Sequence, residues 1–103
     1  MEKIIKYQQI LTDFLEEYSK ITYANAPLLE QQVIIDTQRN HFELVSVGWQ
    51  KGNFVHDIVF HFDIKEDKIW IIQNWTDIKI SKELVNRGVE SSDIVIGFVP
   101  VYA

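Results

Sequence analysis

The stretch VHDIVFHFDI, residues 55–64, reads as a β-strand whose two sides differ in polarity. Successive side chains of a strand point to opposite faces, so every second residue shares a side. One side carries His56, Ile58, Phe60, Phe62 and Ile64, and the other carries Val55, Asp57, Val59, His61 and Asp63. On this alternation the two histidines face opposite directions and cannot bind one ion together. The strand therefore predicts a sheet with one apolar face that other elements must cover.

Runs of β-branched and aromatic residues on both sides of this stretch predict an antiparallel meander. We expect four strands, at roughly Gln32–Thr37, His41–Trp49, Phe54–Ile64 and Lys68–Asn74. The connections between them are short and polar, as hairpin turns are, and Gly52 suits a turn position with positive φ.

Two helices are predicted to flank the meander. Apolar residues spaced three and four apart at the amino terminus are typical of an amphipathic helix of about five turns. Its apolar positions are Ile4, Tyr7, Leu11, Phe14, Tyr18 and Ile21. The second helix has Asp77 as its N-cap, an apolar face of Ile80, Leu84 and Val85, and Gly88 just beyond its end. We expect Val89 to pack back on Leu84, and a last strand to span Asp93–Val99.

This order of elements predicts an α+β fold. A helix, a four-stranded antiparallel meander, a second helix and a final strand form a two-layer sandwich rather than a parallel α/β sheet. The chain has 103 residues, of which 47% are hydrophobic, enough for one core of ordinary size. We expect a single domain over residues 1–103.

Composition argues against several classes of function. The formal net charge is −5 and the ten basic residues are scattered, so strong direct binding of nucleic acid is not expected. Cysteine is absent, which excludes disulfides, thiolate metal sites and a cysteine nucleophile. Since no apolar run approaches the roughly 18 residues of a membrane span, we expect a soluble, cytoplasmic protein.

The mixed side of the strand at 55–64 supplies the main candidates for chemistry, Asp57, His61 and Asp63. Pairing across the next hairpin sets Asp63 opposite Trp70 and His61 opposite Ile72. Those apolar neighbours make a poor metal site, which needs converging ligands with supporting carboxylates. We therefore expect no catalytic residues, no metal and no cofactor. A small metal-dependent hydrolase or nuclease that uses these three residues is the less favoured alternative.

The other two histidines have structural interpretations. His56 is expected on the core face, where it satisfies a hydrogen bond near the strand end. His41 lies close in sequence to Arg39 and Asp36, and we expect it to order its turn, with anion binding by Arg39 and His41 as the alternative. The chain lacks phosphate-binding glycine loops, a nucleophile elbow and a His-Glu-x-x-His motif.

The sheet face opposite the predicted helices is the strongest functional candidate. It carries two tryptophans with apolar and polar neighbours, and such surfaces mark self-association or a partner. The candidate interface residues are Trp49, Val59, His61, Asp63, Trp70 and Ile72. Alternatively, the helices straddle both faces of the sheet, or the last strand and the tail fold over this one.

Several short motifs, in this order, resemble one protein family. They are Ile35-Asp36-Thr37, His41, Val47-Gly48-Trp49, Val55-His56, His61-Phe62-Asp63-Ile64, Lys68-Ile69-Trp70-Ile71, Glu83-Leu84-Val85, Gly88 and the run DIVIGF at 93–98. The sequence is similar over nearly its whole length to the XisI family, the fdxN element excision controlling factors found mostly in cyanobacteria.

The resemblance implies a role in site-specific excision of a DNA element. It implies a non-enzymatic accessory protein that acts with a companion called XisH, which itself resembles restriction-type nucleases. No catalytic residues are carried over from the family. Self-association through the tryptophan-bearing face is also expected, and an alternative function is to antagonise a nuclease-like partner.

Overall fold

The computed structural model describes residues 2–21 and 27–98 of the chain. Its elements, in chain order, are α1 (Glu2–Ser19), β1 (Leu29–Asp36), β2 (His41–Gln50), β3 (Asn53–Lys65), β4 (Lys68–Asn74), α2 (Ile80–Asn86), a short 3-10 helix (Ser91–Asp93) and β5 (Ile94–Ile96). This order confirms the predicted α+β fold. Within the described ranges, neither helix is both long enough and apolar enough to cross a membrane.

The five strands form one sheet in the order β1-β2-β3-β4-β5. The first four strands are antiparallel to their neighbours, as the meander predicts, whereas β5 runs parallel to β4. Parallel neighbours need a crossover connection, and the segment that contains α2 provides it. The final strand is also shorter than the predicted Asp93–Val99, because residues 91–93 form a 3-10 turn, and Val99 lies outside the described residues.

Both helices contribute to one hydrophobic core on one face of the sheet. The fully buried members include Tyr7, Leu11 and Leu15 of α1, Phe42 and Leu44 of β2, Phe60 and Phe62 of β3, Ile69 and Ile71 of β4, and Leu84 of α2. The alternative that the helices straddle both faces is therefore wrong. In the other alternative the last strand and the tail fold over the opposite face; β5 instead extends the sheet beside β4, and the tail at 99–103 lies outside the described residues. We call the face of the sheet that the helices do not cover the outer face.

A β-bulge in β3 interrupts the predicted alternation of its side chains between the two faces. Phe60 pairs with Leu44 but Ile58 pairs with Val45, so Val59 is the extra residue of the bulge. Residues directly opposite each other share a face, so Ile58 lies with Val45 on the outer face. Val59 packs against the core cluster instead of lying on the outer face.

The same bulge moves the polar residues of β3 to different faces than predicted. His56, opposite Val47, is exposed on the outer face and not on the core side. His56 and His61 therefore share a face. Asp57, opposite Ser46, lies on the other face, so strict alternation fails for this half of the strand.

A second irregularity lies in β4. Phe62 pairs with Ile71 while His61 pairs with Gln73, which leaves Ile72 unpaired. The prediction that Asp63 faces Trp70 is confirmed, and the prediction that His61 faces Ile72 is wrong. At the first bulge, the Val59 carbonyl keeps a hydrogen-bond partner. It accepts from the Trp75 amide at 2.9 Å.

The end of α2 forms as predicted. Gly88 has φ of 111°, and its amide donates to the Val85 carbonyl at 3.0 Å. The Val89 amide donates to the Leu84 carbonyl at 3.0 Å, and both side chains lie in the core. These two hydrogen bonds define the Schellman motif.

The start of α2 differs from prediction. The helix begins at Ile80, and its N-cap is Lys79, without a side-chain cap, rather than Asp77. Asn74 organises the preceding turn instead. Its carboxamide oxygen accepts from the Thr76 amide at 3.0 Å, and its amide donates to the Ile78 carbonyl at 2.9 Å. A polar side chain at the end of β4 thus holds the turn before α2, and the first turn of the helix has no side-chain cap.

Candidate functional site

The outer face is apolar at the end near the turn between β2 and β3. Trp49 and Phe54 pair across this hairpin, and each is more than half exposed. Their ring centroids lie 5.4 Å apart in an edge arrangement. Val47 and Ile58 continue the apolar surface toward the middle of the sheet. Large apolar side chains gathered in this way are typical of surfaces that other molecules cover.

The opposite end of the outer face carries a polar cluster of His41, Glu43, His61 and Asp63. Asp63 Oδ1 accepts hydrogen bonds from His41 Nδ1 at 2.7 Å and from His61 Nε2 at 2.9 Å. His61 Nδ1 lies 3.3 Å from Glu43 Oε2. The ring of His61 is thus held between two carboxylates, one at each nitrogen.

The environment of Asp63 favours its charged form. Burial raises the pKa of this carboxyl, and the hydrogen bonds from His41 and His61 lower it further than burial raises it. The net pKa lies below the usual range. Asp63 is therefore an anion near neutral pH, although its side chain is only 13% exposed.

The structure brings only some of the predicted interface residues together. His61 and Asp63 lie in the polar cluster, and Trp70 is opposite Asp63, with the Lys65 ammonium 4.4 Å from the centre of its indole ring. Trp49 lies at the far, apolar end of the same face. The other two residues, Val59 and Ile72, sit at the two bulges.

His41 and Glu43 are the members of the polar cluster that sequence reasoning missed. Their contacts depend on the register between β2 and β3, which places His41 opposite Asp63 and Glu43 opposite His61. The expectation that His41 orders its turn is wrong. Asp36 accepts hydrogen bonds there from the backbone and side chain of Arg39 instead.

The trio of Asp57, His61 and Asp63 is not assembled. Asp57 lies across the bulge on the other face of the sheet and lines a concavity of about 460 Å³. Asp57 is the only ionisable residue among the described residues that line it. General acid and base catalysis needs a carboxylate that is desolvated or coupled to another charged group. Asp57 is exposed and has no such neighbour among the described lining residues.

Phe98 and Trp75 are further exposed aromatic residues that the sequence did not single out as functional. Together with Ile72, Gln73 and Asn74 they line a concavity of about 250 Å³ beside β4. In the sequence, the one feature that could have marked Trp75 as an exposed residue is its position directly after a predicted strand. Of the described residues that line this concavity, the predicted interface included Ile72 alone.

Comparison with known proteins identifies the family. The family described as XisI protein matches residues 1–103. A crystal structure of a XisI-like protein from Anabaena variabilis is 40% identical, covers 94% of this chain and 88% of its own, and superposes with a TM-score of 0.84. The fdxN element excision controlling factor XisI from the same organism is 26% identical, covers 95% and 88%, and has a TM-score of 0.78.

Among curated proteins, no relative matches. The family match spans the full sequence, and the two solved structures share its fold over 94% and 95% of the chain. On these grounds, the chain belongs to the XisI family.

Proposed function

We propose that this protein is a non-enzymatic controlling factor that acts in the cytoplasm with an XisH-like partner in site-specific excision of a DNA element. Family membership supports the proposal, since one structural relative is named as an fdxN element excision controlling factor. The scattered basic residues and the net charge of −5 favour action through a protein partner over direct DNA binding.

The observation that carries the proposal is the outer face, which neither helix covers in the described part of the chain. Both helices pack on the other side of the sheet, while Trp49 and Phe54 leave most of their aromatic surface open. Interfaces are enriched in aromatic residues and carry a polar rim. Here Trp49 supplies an anchor at one end, and Trp70 lies beside the polar cluster at the other.

The experiment is co-expression of this protein with an XisH-like protein, followed by size-exclusion chromatography with light scattering on each chain alone and on the pair. We expect a stoichiometric complex. The substitutions Trp49→Glu and Trp70→Glu each place a charge on the outer face. Each should weaken or abolish the complex and leave the monomer folded. Ile5→Glu is the matched control, because Ile5 is exposed on α1, away from the sheet.

Two results would count against this proposal. If the chains do not associate and this protein alone forms a stable oligomer, the outer face serves self-association. If the complex forms but tolerates both tryptophan substitutions, the partner binds elsewhere. Circular dichroism of each variant separates a lost interface from a lost fold.

A second candidate function is antagonism of a nuclease-like partner. Carboxylates outnumber basic residues on the outer face, where Glu30, Asp36, Glu43 and Asp63 lie on β1 to β3. A face of this charge can occupy a cationic DNA-binding surface in place of phosphates. Co-expression that suppresses cleavage by the partner would support this function, and undiminished cleavage by the purified complex would rule it out.

A further inference from the structure

We propose that His41, His61 and Asp63 form a binding site for a divalent transition metal ion of the zinc class. Three potential ligand atoms, one from each residue, lie within 4.8 Å of one another. The hydrogen bonds to Asp63 Oδ1 identify His41 Nδ1 and His61 Nε2 as the inward-facing nitrogens. This site is independent of the partner and of the role in excision.

The strands hold these ligands in place. His41 is directly opposite Asp63 across β2 and β3, and His61 is two residues before Asp63 on the same face of β3. Ligands on paired strands are positioned by the backbone ladder rather than by a mobile loop. Little conformational freedom must be lost when an ion binds.

The donor set selects the class of ion. Two imidazole nitrogens and one carboxylate oxygen are the three protein ligands of many zinc sites that keep an open position, and also of non-haem iron sites. Magnesium and calcium prefer oxygen ligands, so a site with two nitrogens discriminates against them. The chain has no cysteine to offer a competing thiolate site.

The two ligand edges that involve Asp63 require only a small adjustment. Bonds of about 2.0 Å to a tetrahedral ion place ligand atoms about 3.3 Å apart. The two nitrogens now lie 2.7 and 2.9 Å from Asp63 Oδ1. A shift of each nitrogen by roughly half an ångström converts these two hydrogen bonds into two edges of a coordination shell, and the proton on each inward-facing nitrogen moves to the other ring nitrogen or to solvent. The third edge, between the two nitrogens, closes to the same spacing from within the 4.8 Å bound.

Glu43 provides the outer support that metal-binding histidines use. Its Oε2 lies 3.3 Å from His61 Nδ1, the nitrogen that faces away from the ligand cluster. A carboxylate at this position favours the tautomer with the proton on Nδ1, which leaves Nε2 free when the ion replaces the hydrogen bond to Asp63. His61 thus has one nitrogen for the ion and one for its support.

The site is open on one side. The His41 side chain is 52% exposed, and the neighbouring concavity, of about 320 Å³, is lined by Ile34, Asp36, His41, Glu43 and His61. An ion can enter from solvent and retain water in its remaining positions. Those positions are also available to a ligand atom from another molecule on the outer face.

The test is isothermal titration of the full chain, without a histidine tag, with zinc chloride, together with thermal unfolding with and without zinc. We expect one ion per chain and a higher unfolding temperature with zinc. His41→Gln and His61→Gln remove ligands and should each weaken binding more than Glu43→Gln, which should weaken it about 10-fold to 100-fold. His56→Gln is the control, because His56 is an exposed histidine of the same face outside the cluster.

Cobalt as a spectroscopic probe reports the ligands directly. A visible absorption band in the wild type that His41→Gln abolishes and His56→Gln retains supports the site. Absence of zinc binding at micromolar concentration, or equal weakening by His56→Gln and His41→Gln, overturns the proposal. His41 is half exposed, so its replacement leaves the fold intact and keeps this comparison informative.

Discussion

The substitution Tyr7→Phe tests the contact that joins α1 to the turn before β5. The Tyr7 hydroxyl donates a hydrogen bond of 2.6 Å to Asp93 Oδ2, and the Lys3 ammonium lies 3.0 Å from the same oxygen. Tyr7 is 1% exposed and Asp93 is 7% exposed. This contact therefore ties α1 to the turn before β5 and supplies partners for a carboxylate that water barely reaches.

The expected loss of stability follows from the chemistry of the bond. Loss of a hydrogen bond to a charged group costs about 1.5 to 3 kcal/mol. The phenyl ring stays, so no cavity adds to this cost, although the Glu90 amide also loses its 3.3 Å contact with the hydroxyl. We expect a loss of about 2 kcal/mol. For a domain of this size the unfolding temperature should fall by about 8 °C.

The same bond predicts how the loss varies with pH. Hydrogen bonds from Tyr7 and Lys3 hold the pKa of Asp93 below its usual range. A carboxyl whose pKa is lower in the folded state contributes stability above its unfolded pKa, about 3.9. That contribution is lost as pH falls through the folded pKa. The cost of Tyr7→Phe should therefore be larger at pH 7 than at pH 3.

Urea unfolding of both proteins, followed by circular dichroism at pH 7, 5 and 3, measures these differences. Lys3→Gln is a control that removes the exposed ion pair and keeps the tyrosine bond, and it should cost less than Tyr7→Phe. A loss below about 0.5 kcal/mol at pH 7 would refute the reasoning. So would a loss that is the same at every pH.

Three further substitutions test the core and the close approach of the chain at Gly48. Leu11→Ala, at a fully buried position of α1, should cost about 3 kcal/mol in urea unfolding. Gly48→Ala should cost at least about 2 kcal/mol, since a Cβ there would meet the Leu28 carbonyl oxygen at 2.1 Å and φ is +142°. Gly52→Ala, with φ of +80° and no atom within 4 Å, should cost about 1 kcal/mol, and equal losses at the two glycines would contradict the steric argument.

Local patterns predicted the elements because their causes are local. The three-and-four spacing from Ile4 to Tyr18 marks the face of α1 that packs on the sheet, and Gly88 has the positive φ that its position after α2 requires. Ile21, predicted on the same face, lies beyond the helix and is 47% exposed. The start of α2 was less predictable. Asp77 and Asn74 are both suited to turns, and only the contact with the Ile78 carbonyl shows that Asn74 organises this one.

The parallel pairing of β5 could not be predicted from its own residues. Ile94, Val95 and Ile96 are compatible with either direction, and pairing with β4 depends on how α2 crosses the sheet. The Tyr7 bond to Asp93 is equally remote in sequence, since 86 positions separate its partners. Long-range contacts of this kind carry no local signal.

The bulge in β3 has a physical reason that links the core to the polar cluster. Gln50 pairs with Asn53 across the turn, so an uninterrupted ladder pairs even-numbered residues of β2 with odd-numbered residues of β3. Phe42 and Leu44 would then share a face with His61 and Val59, and Phe60 and Phe62 would face outward. The extra residue shifts the register by one and brings all four large apolar side chains into the same core.

The energetic balance favours the bulge strongly. Burying each large apolar side chain is worth about 1.5 to 3 kcal/mol, so placing Phe60 and Phe62 in the core gains several times the roughly 1 kcal/mol of a ladder hydrogen bond. The same shift sets His41 opposite Asp63 and Glu43 opposite His61. The polar cluster of the outer face therefore exists because of the register that the core requires, and without the bulge the pairing of β2 with β3 that forms this cluster cannot be derived.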